Sequence, residues 1–107
     1  MNYHAHIYWK HIGERVQALS LRPLLESLGC GLGAIHDKPI GPHPLPMYQA
    51  MYDSSNKTEV ESLLKAQTMS ILLHEDIGLD HVRDHTEGAR WINESLELDL
   101  KFLEDFE

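Results

Sequence analysis

Residues 3–9 read Tyr-His-Ala-His-Ile-Tyr-Trp, and strict alternation sets His4, His6 and Tyr8 against Tyr3, Ala5, Ile7 and Trp9. Successive side chains of a strand point to opposite faces. The stretch therefore predicts a β-strand with one apolar face and one face carrying two imidazoles and a phenol. C-terminal to it, Gly13 to Leu28 carries Val16, Leu19, Leu24, Leu25 and Leu28 at helical spacing and ends at Gly29. Pro23 must kink that helix or restart it as a first-turn residue.

Gly31 to His36 reads as a second strand, and Asp37 to Pro46 as a stiff loop in which Pro39, Pro42, Pro44 and Pro46 forbid regular structure. Met47 to Tyr52 alternates again and predicts a third strand. Asn56 or Thr58 can cap a helix carrying Val60, Leu63 and Leu64. Met69 to His74 is the fourth strand. A short helical stretch near Trp91 and an acidic tail with Leu96, Leu98, Leu100 and Leu103 form a C-terminal extension.

Strand, helix, strand, strand, helix, strand is the order of an α+β ferredoxin-like sandwich, a four-stranded antiparallel sheet with two helices on one face. Right-handed crossovers give the spatial order 4-1-3-2. The fourth strand then lies beside the first, and His74 falls near His4 and His6. Tyr3, Ala5, Ile7 and Trp9 should pack under the helices, leaving the histidines on the bare face. Such a face needs a cover, either from the segment after His74 or from a second subunit, so a homodimer is expected.

A chain of 107 residues is one domain's worth of protein, residues 1–107 sharing a single core. Seventeen acidic against nine basic residues give a net charge of −8, opposite to what phosphate neutralisation requires, so nucleic acid is not an expected partner. The single cysteine, Cys30, excludes an intrachain disulfide and is expected to pack rather than react. No apolar run approaches the roughly 18 residues of a membrane span, and no targeting segment is visible, so a cytoplasmic, membrane-free protein is expected.

Chemistry is concentrated in the eight histidines. Neutral imidazole is the commonest transition-metal ligand, and His4 and His6, two apart on a strand, can approach one ion. His74 joins them from the neighbouring strand, and His43 is aimed by the prolines on either side of it. His85, after Asp84, can return over the same sheet edge as ligand, acid/base group or orienting partner. Glu75, Asp76 and Asp84 are carboxylates able to complete a two-histidine-one-carboxylate set. His11 and His36 have no special spacing and read as surface or structural residues, and His81 is a weaker candidate. Phosphate loops, zinc cysteine pairs and nucleophile elbows are absent from the sequence.

Taken together, Tyr3-His-Ala-His-Ile-Tyr8, His36-Asp-Lys-Pro-Ile-Gly-Pro-His-Pro44, Leu73-His74, Asp84-His85 and Trp91 resemble the DOPA 4,5-dioxygenase family over nearly the whole chain. The resemblance implies a ferredoxin-like fold and a non-haem Fe(II) centre, with Zn2+ able to occupy the same donors. It also implies extradiol cleavage of a catechol such as DOPA by O2. The matching histidines are His4, His6, His43, His74 and His85; His6, His43 and His74 are expected as metal ligands, and His4 and His85 as catalytic acid/base groups. His81 matches no family histidine, and Glu75 stands where proline is common. The alternatives are a non-catalytic metal- or small-ligand-binding domain that keeps the histidines, and metal-assisted hydrolysis or isomerisation at the same site.

Overall fold

The computed structural model describes residues 1–76, 81–86 and 88–104. The alternating stretch forms β1, Asn2–Tyr8, at the centre of an open sheet. It pairs antiparallel with β3, Met47–Asp53, on one side and with β4, Ile71–Asp76, on the other. The short β2, Gly31–Leu32, lies outside β3, and β5, Ala89–Ile92, lies outside β4. The sheet order is β2-β3-β1-β4-β5, so the first four strands stand in the expected 4-1-3-2 arrangement. The sheet has five strands rather than four. The fifth occupies the region around Trp91 that the sequence suggested was helical, and its pairing of Leu72 with Trp91 and His74 with Ala89 extends the sheet over the edge of β4.

Helices α1, Ile12–Ser20, and α2, Arg22–Ser27, replace the single predicted helix. The break falls where Pro23, lacking an N–H, can sit only in a first turn, and α2 restarts with it there. His11 caps α1, its Nδ1 accepting from the backbone N–H of Glu14, which gives this histidine a structural task. Asn56 precedes α3, Lys57–Lys65, without capping it through its side chain. Its amide instead donates to the Leu28 carbonyl and its oxygen accepts from Asp53 N–H, tying the α2 end to the β3 end.

The core lies between the three helices and one face of the sheet. Ala5, Ile7, Trp9, Tyr48, Ala50, Ile71 and Leu73 meet Ala18, Leu21, Leu25, Val60 and Leu64 there, with Cys30 buried among them. The opposite face has its own apolar cluster, Tyr8, Met47 and Leu72, over which Leu45, Trp91, Leu96 and Leu98 pack. The cover that this face requires thus comes in part from the chain's own C-terminal segment, which folds back after β5 and ends in α5, Leu100–Glu104. No helix among the described residues is long and apolar enough to cross a membrane.

The predicted second strand is shorter than expected for a definite reason. Gly31 pairs with Met51 and Leu32 with Ala50, but His36, not Ile35, bridges Met47. One extra residue has entered the edge strand between these pairings, a β-bulge. Because side chains alternate, a slip of one residue exchanges faces, and the bulge turns His36 to the face that Met47 shares with the histidines.

Candidate metal centre

Strand register places the first ligand candidates. His4 is the Cα partner of His74, two residues from His6, so three imidazoles emerge from adjacent strands on one face. The rings of His6 and His74 stack at 4.9 Å, and their Nε2 atoms are 2.8 Å apart. The 37–46 loop supplies a fourth imidazole. Gly41, in the left-handed region at φ 59°, reverses the chain, His43 N–H donates to Ile40 O, and Pro42 O accepts from Asp99 N–H. The His43 ring consequently lies 4.2 Å from that of His6. His85, just beyond α4, His81–Asp84, completes the group, 4.1 Å from His74 and 5.5 Å from His6 between ring centroids.

All five expected histidines therefore converge, with His6 at the hub. His6, His43 and His74 are buried, while His4 and His85 are half-exposed. Two overlapping sets, His4 with His6 and His74, and His6 with His43 and His85, hold potential ligand atoms within 4.8 Å of one another. The side chain of His81 lies outside the described residues. Of the carboxylates, Asp76 contacts the cluster directly, its Oδ2 2.9 Å from His4 Nε2. Asp84 is buried, and Glu75 Oε1 stands 3.5 Å from Arg83 Nη2. Glu75 also shows why proline is not required after His74, since its N–H donates to Gly88 O and carries β4 on toward Asp76.

The chemistry of the donors suits a metal ion. Burial, followed by the mutual repulsion of neighbouring imidazoles, drives His6 well below its ordinary value. The same causes bring His43 to about 4 and His74 to about 3. His4 is also lowered, by burial that outweighs the attraction of Asp76 and Asp84. Neutral imidazoles with available lone pairs are the form that binds metals. His74 Nδ1–H donates to the Glu75 carbonyl at 2.8 Å, which leaves Nε2 as its lone-pair nitrogen and makes His6 the donor between them. His6 Nδ1 is then a buried nitrogen with no partner among the described residues. Such an atom costs roughly 1–3 kcal/mol, and it sets His6 apart from His43 and His74, whose Nδ1 atoms are engaged by Tyr8 and by the Glu75 carbonyl.

Two further side chains adjoin the cluster that their spacing did not single out, Tyr8 in contact with His43 and His36 in a cleft beside His6 and His43. The Tyr8 hydroxyl lies 2.7 Å from His43 Nδ1, a contact that engages this nitrogen and leaves Nε2 for the cluster. Metal-ligating histidines are commonly fixed in this way through the second ring nitrogen. The alternation of residues 3–9 already put Tyr8 on the histidine face, and that was the available signal. His36 had no such signal, because its facing depends on the bulge.

A family model described as the Dopa 4,5-dioxygenase family matches residues 3–102. The crystal structure of a presumed dioxygenase from Nostoc punctiforme superposes with a TM-score of 0.92 at 33% identity, covering 99% of this chain and 93% of that one. No curated protein matches. The match over nearly the full length, the shared fold and the convergence of the histidines support a dioxygenase-like role acting on a small molecule with O2. The chain belongs to the Dopa 4,5-dioxygenase family.

Proposed function

We propose that the protein is a non-haem iron-dependent extradiol dioxygenase that opens a catechol ring beside its two hydroxyls, with both atoms of O2 entering the product. The observation that carries this reading is the convergence of five imidazoles on the hub at His6, two of them with their second nitrogen already engaged. His6, His43 and His74 are the ligands. They are buried, and the contacts from Tyr8 and from the Glu75 carbonyl leave Nε2 of His43 and His74 facing the cluster.

A bound Fe(II) supplies Lewis acidity and electron transfer to O2 that no side chain provides. The remaining tasks belong to this chain. His4, half-exposed and paired with Asp76, and His85, half-exposed beside His74, are placed to accept and return catechol protons. Asp76 orients His4 by accepting from its Nε2–H. Trp91, Leu96 and Leu98 cover Tyr8, Met47 and Leu72 on the same face of the sheet and so back the Tyr8 phenol that contacts His43.

The test is anaerobic reconstitution with Fe(II) followed by DOPA in air. One O2 consumed per catechol, and a yellow ring-opened product carrying both labelled atoms from 18O2, is the expected result. Stoichiometric metal binding with no oxygen uptake from any catechol would instead establish a metal-binding domain that has kept the histidines without the reaction.

A further inference from the structure

A cleft of about 320 Å³ opens beside the cluster with His6 and His43 at its base. This is the small end of the range of ligand pockets, roughly 300–1,000 Å³, and fits one ring with a short substituent. Farther out its walls divide. Ile40 and Phe102 are apolar, and His36 and Gln49 are polar. Gln49 is the Cα partner of His6 and shares its face, while His36 reaches that face through the bulge opposite Met47. Both are half-buried, and neither side chain makes a hydrogen bond to a described residue. Bulges often re-aim a side chain next to an active site.

No described residue lining this cleft is an aspartate, glutamate, lysine or arginine. A carboxylate entering it would accept from the imidazole and amide N–H groups, and such charge-assisted bonds are the strong ones. An ammonium would lose its water without meeting an acidic partner. We infer that the cleft receives the ring substituent of the substrate, and that His36 and Gln49 select a short chain ending in a carboxylate over one ending in an ammonium. This rests on the catechol reading proposed above. The long-range field of a chain of net charge −8 runs the other way, favouring cations, so a preference for an anion reports local contacts.

A second cleft, of about 340 Å³, borders the cluster at His85 and carries Trp91, Leu96, Leu98 and the carboxylate of Glu97. A substituent lodged there would show the opposite charge preference. The sign of the preference therefore identifies the cleft in use.

The experiment is calorimetric titration of the zinc-loaded full chain with 3,4-dihydroxyphenylacetate, dopamine and catechol, paired with oxygen uptake by the iron-loaded chain. The carboxylate should bind about ten-fold or more tighter than dopamine, as expected of a hydrogen bond to a charged group. In His36→Ala and Gln49→Ala that ratio should collapse toward one. Gln49→Glu, close in shape to the native residue, should invert it, with circular dichroism confirming that each variant is folded. Equal or tighter dopamine binding by the native chain, a preference that survives in all three variants, or no binding of any of the three compounds would overturn the assignment. If the zinc-loaded chain shows the preference and its loss in the variants while no catechol drives oxygen uptake, the assignment of the cleft stands and the dioxygenase reading fails. Oxygen uptake without any charge preference is the converse result.

Discussion

At the scale of single residues, His6 is the hub on which the account turns, and Tyr8 is the group that prepares His43. Removing the phenol hydroxyl in Tyr8→Phe should weaken metal binding about 10- to 100-fold, the range for partners of ligating histidines, with little loss of fold. Competition against a chelator measures it, and an unchanged affinity would remove Tyr8 from the site. The lowered histidines also set a pH dependence for the metal-free protein. In the unfolded chain His43 and His74 titrate near 6.5, and in the fold near 4 and 3. Between those values the unfolded state binds more protons, so their contribution is complete above pH 6.5 and is lost as pH falls toward 4 and 3. The slope is about 1.4 kcal/mol per pH unit for each group. Urea midpoints for the apo chain should fall from pH 7 to pH 5, and a flat profile would contradict the burial of neutral imidazoles. The five clustered histidines were legible in the sequence because strand alternation and flanking prolines aim side chains. His36 was not, since one inserted residue on an edge strand decides its face and leaves no mark in the spacing.

At the scale of elements, β1 and its neighbours were readable from period-2 alternation, and the α1/α2 break from Pro23. β5 was not. Ala89-Arg-Trp-Ile92 is too short for periodicity to separate strand from helix, and its conformation is fixed by pairing with β4. The 37–46 loop was legible as stiff, but its path depends on a contact from α5. At Gly41, φ is 59°, and a Cβ added there would lie 3.1 Å from the Phe102 ring. Gly41→Val combines a left-handed β-branched residue with that collision and should cost about 1–3 kcal/mol. It should also weaken metal binding by displacing His43. Thermal unfolding and chelator competition on one variant test both parts, and a variant with native stability would show that the turn carries no strain-sensitive constraint.

At the scale of the whole molecule, the topology brings His4, His6 and His74 together before any loop chemistry is considered. Two antiparallel neighbours of one central strand put their side chains on a common face, and the handedness of the crossovers was enough to foresee that juxtaposition. The sequence offered the segment after His74 as one of two covers for this face but did not say which of its residues serve, because the cover consists of scattered leucines and Trp91 whose partners, Tyr8, Met47 and Leu72, are distant in the chain. A metal that binds the folded site and not the open chain should stabilise the protein by about 2.7 kcal/mol at a hundred-fold excess over Kd. For a domain of this size that raises Tm by on the order of 10 °C, and addition of a chelator should reverse it. The most direct test of the central claim is the anomalous diffraction map of a crystal of the untagged, iron-loaded protein. One iron peak bounded by Nε2 of His6, His43 and His74, with His4 and His85 alongside, is the expected result. An iron peak away from His6, or no peak at the cluster in a protein saturated with iron, would contradict it.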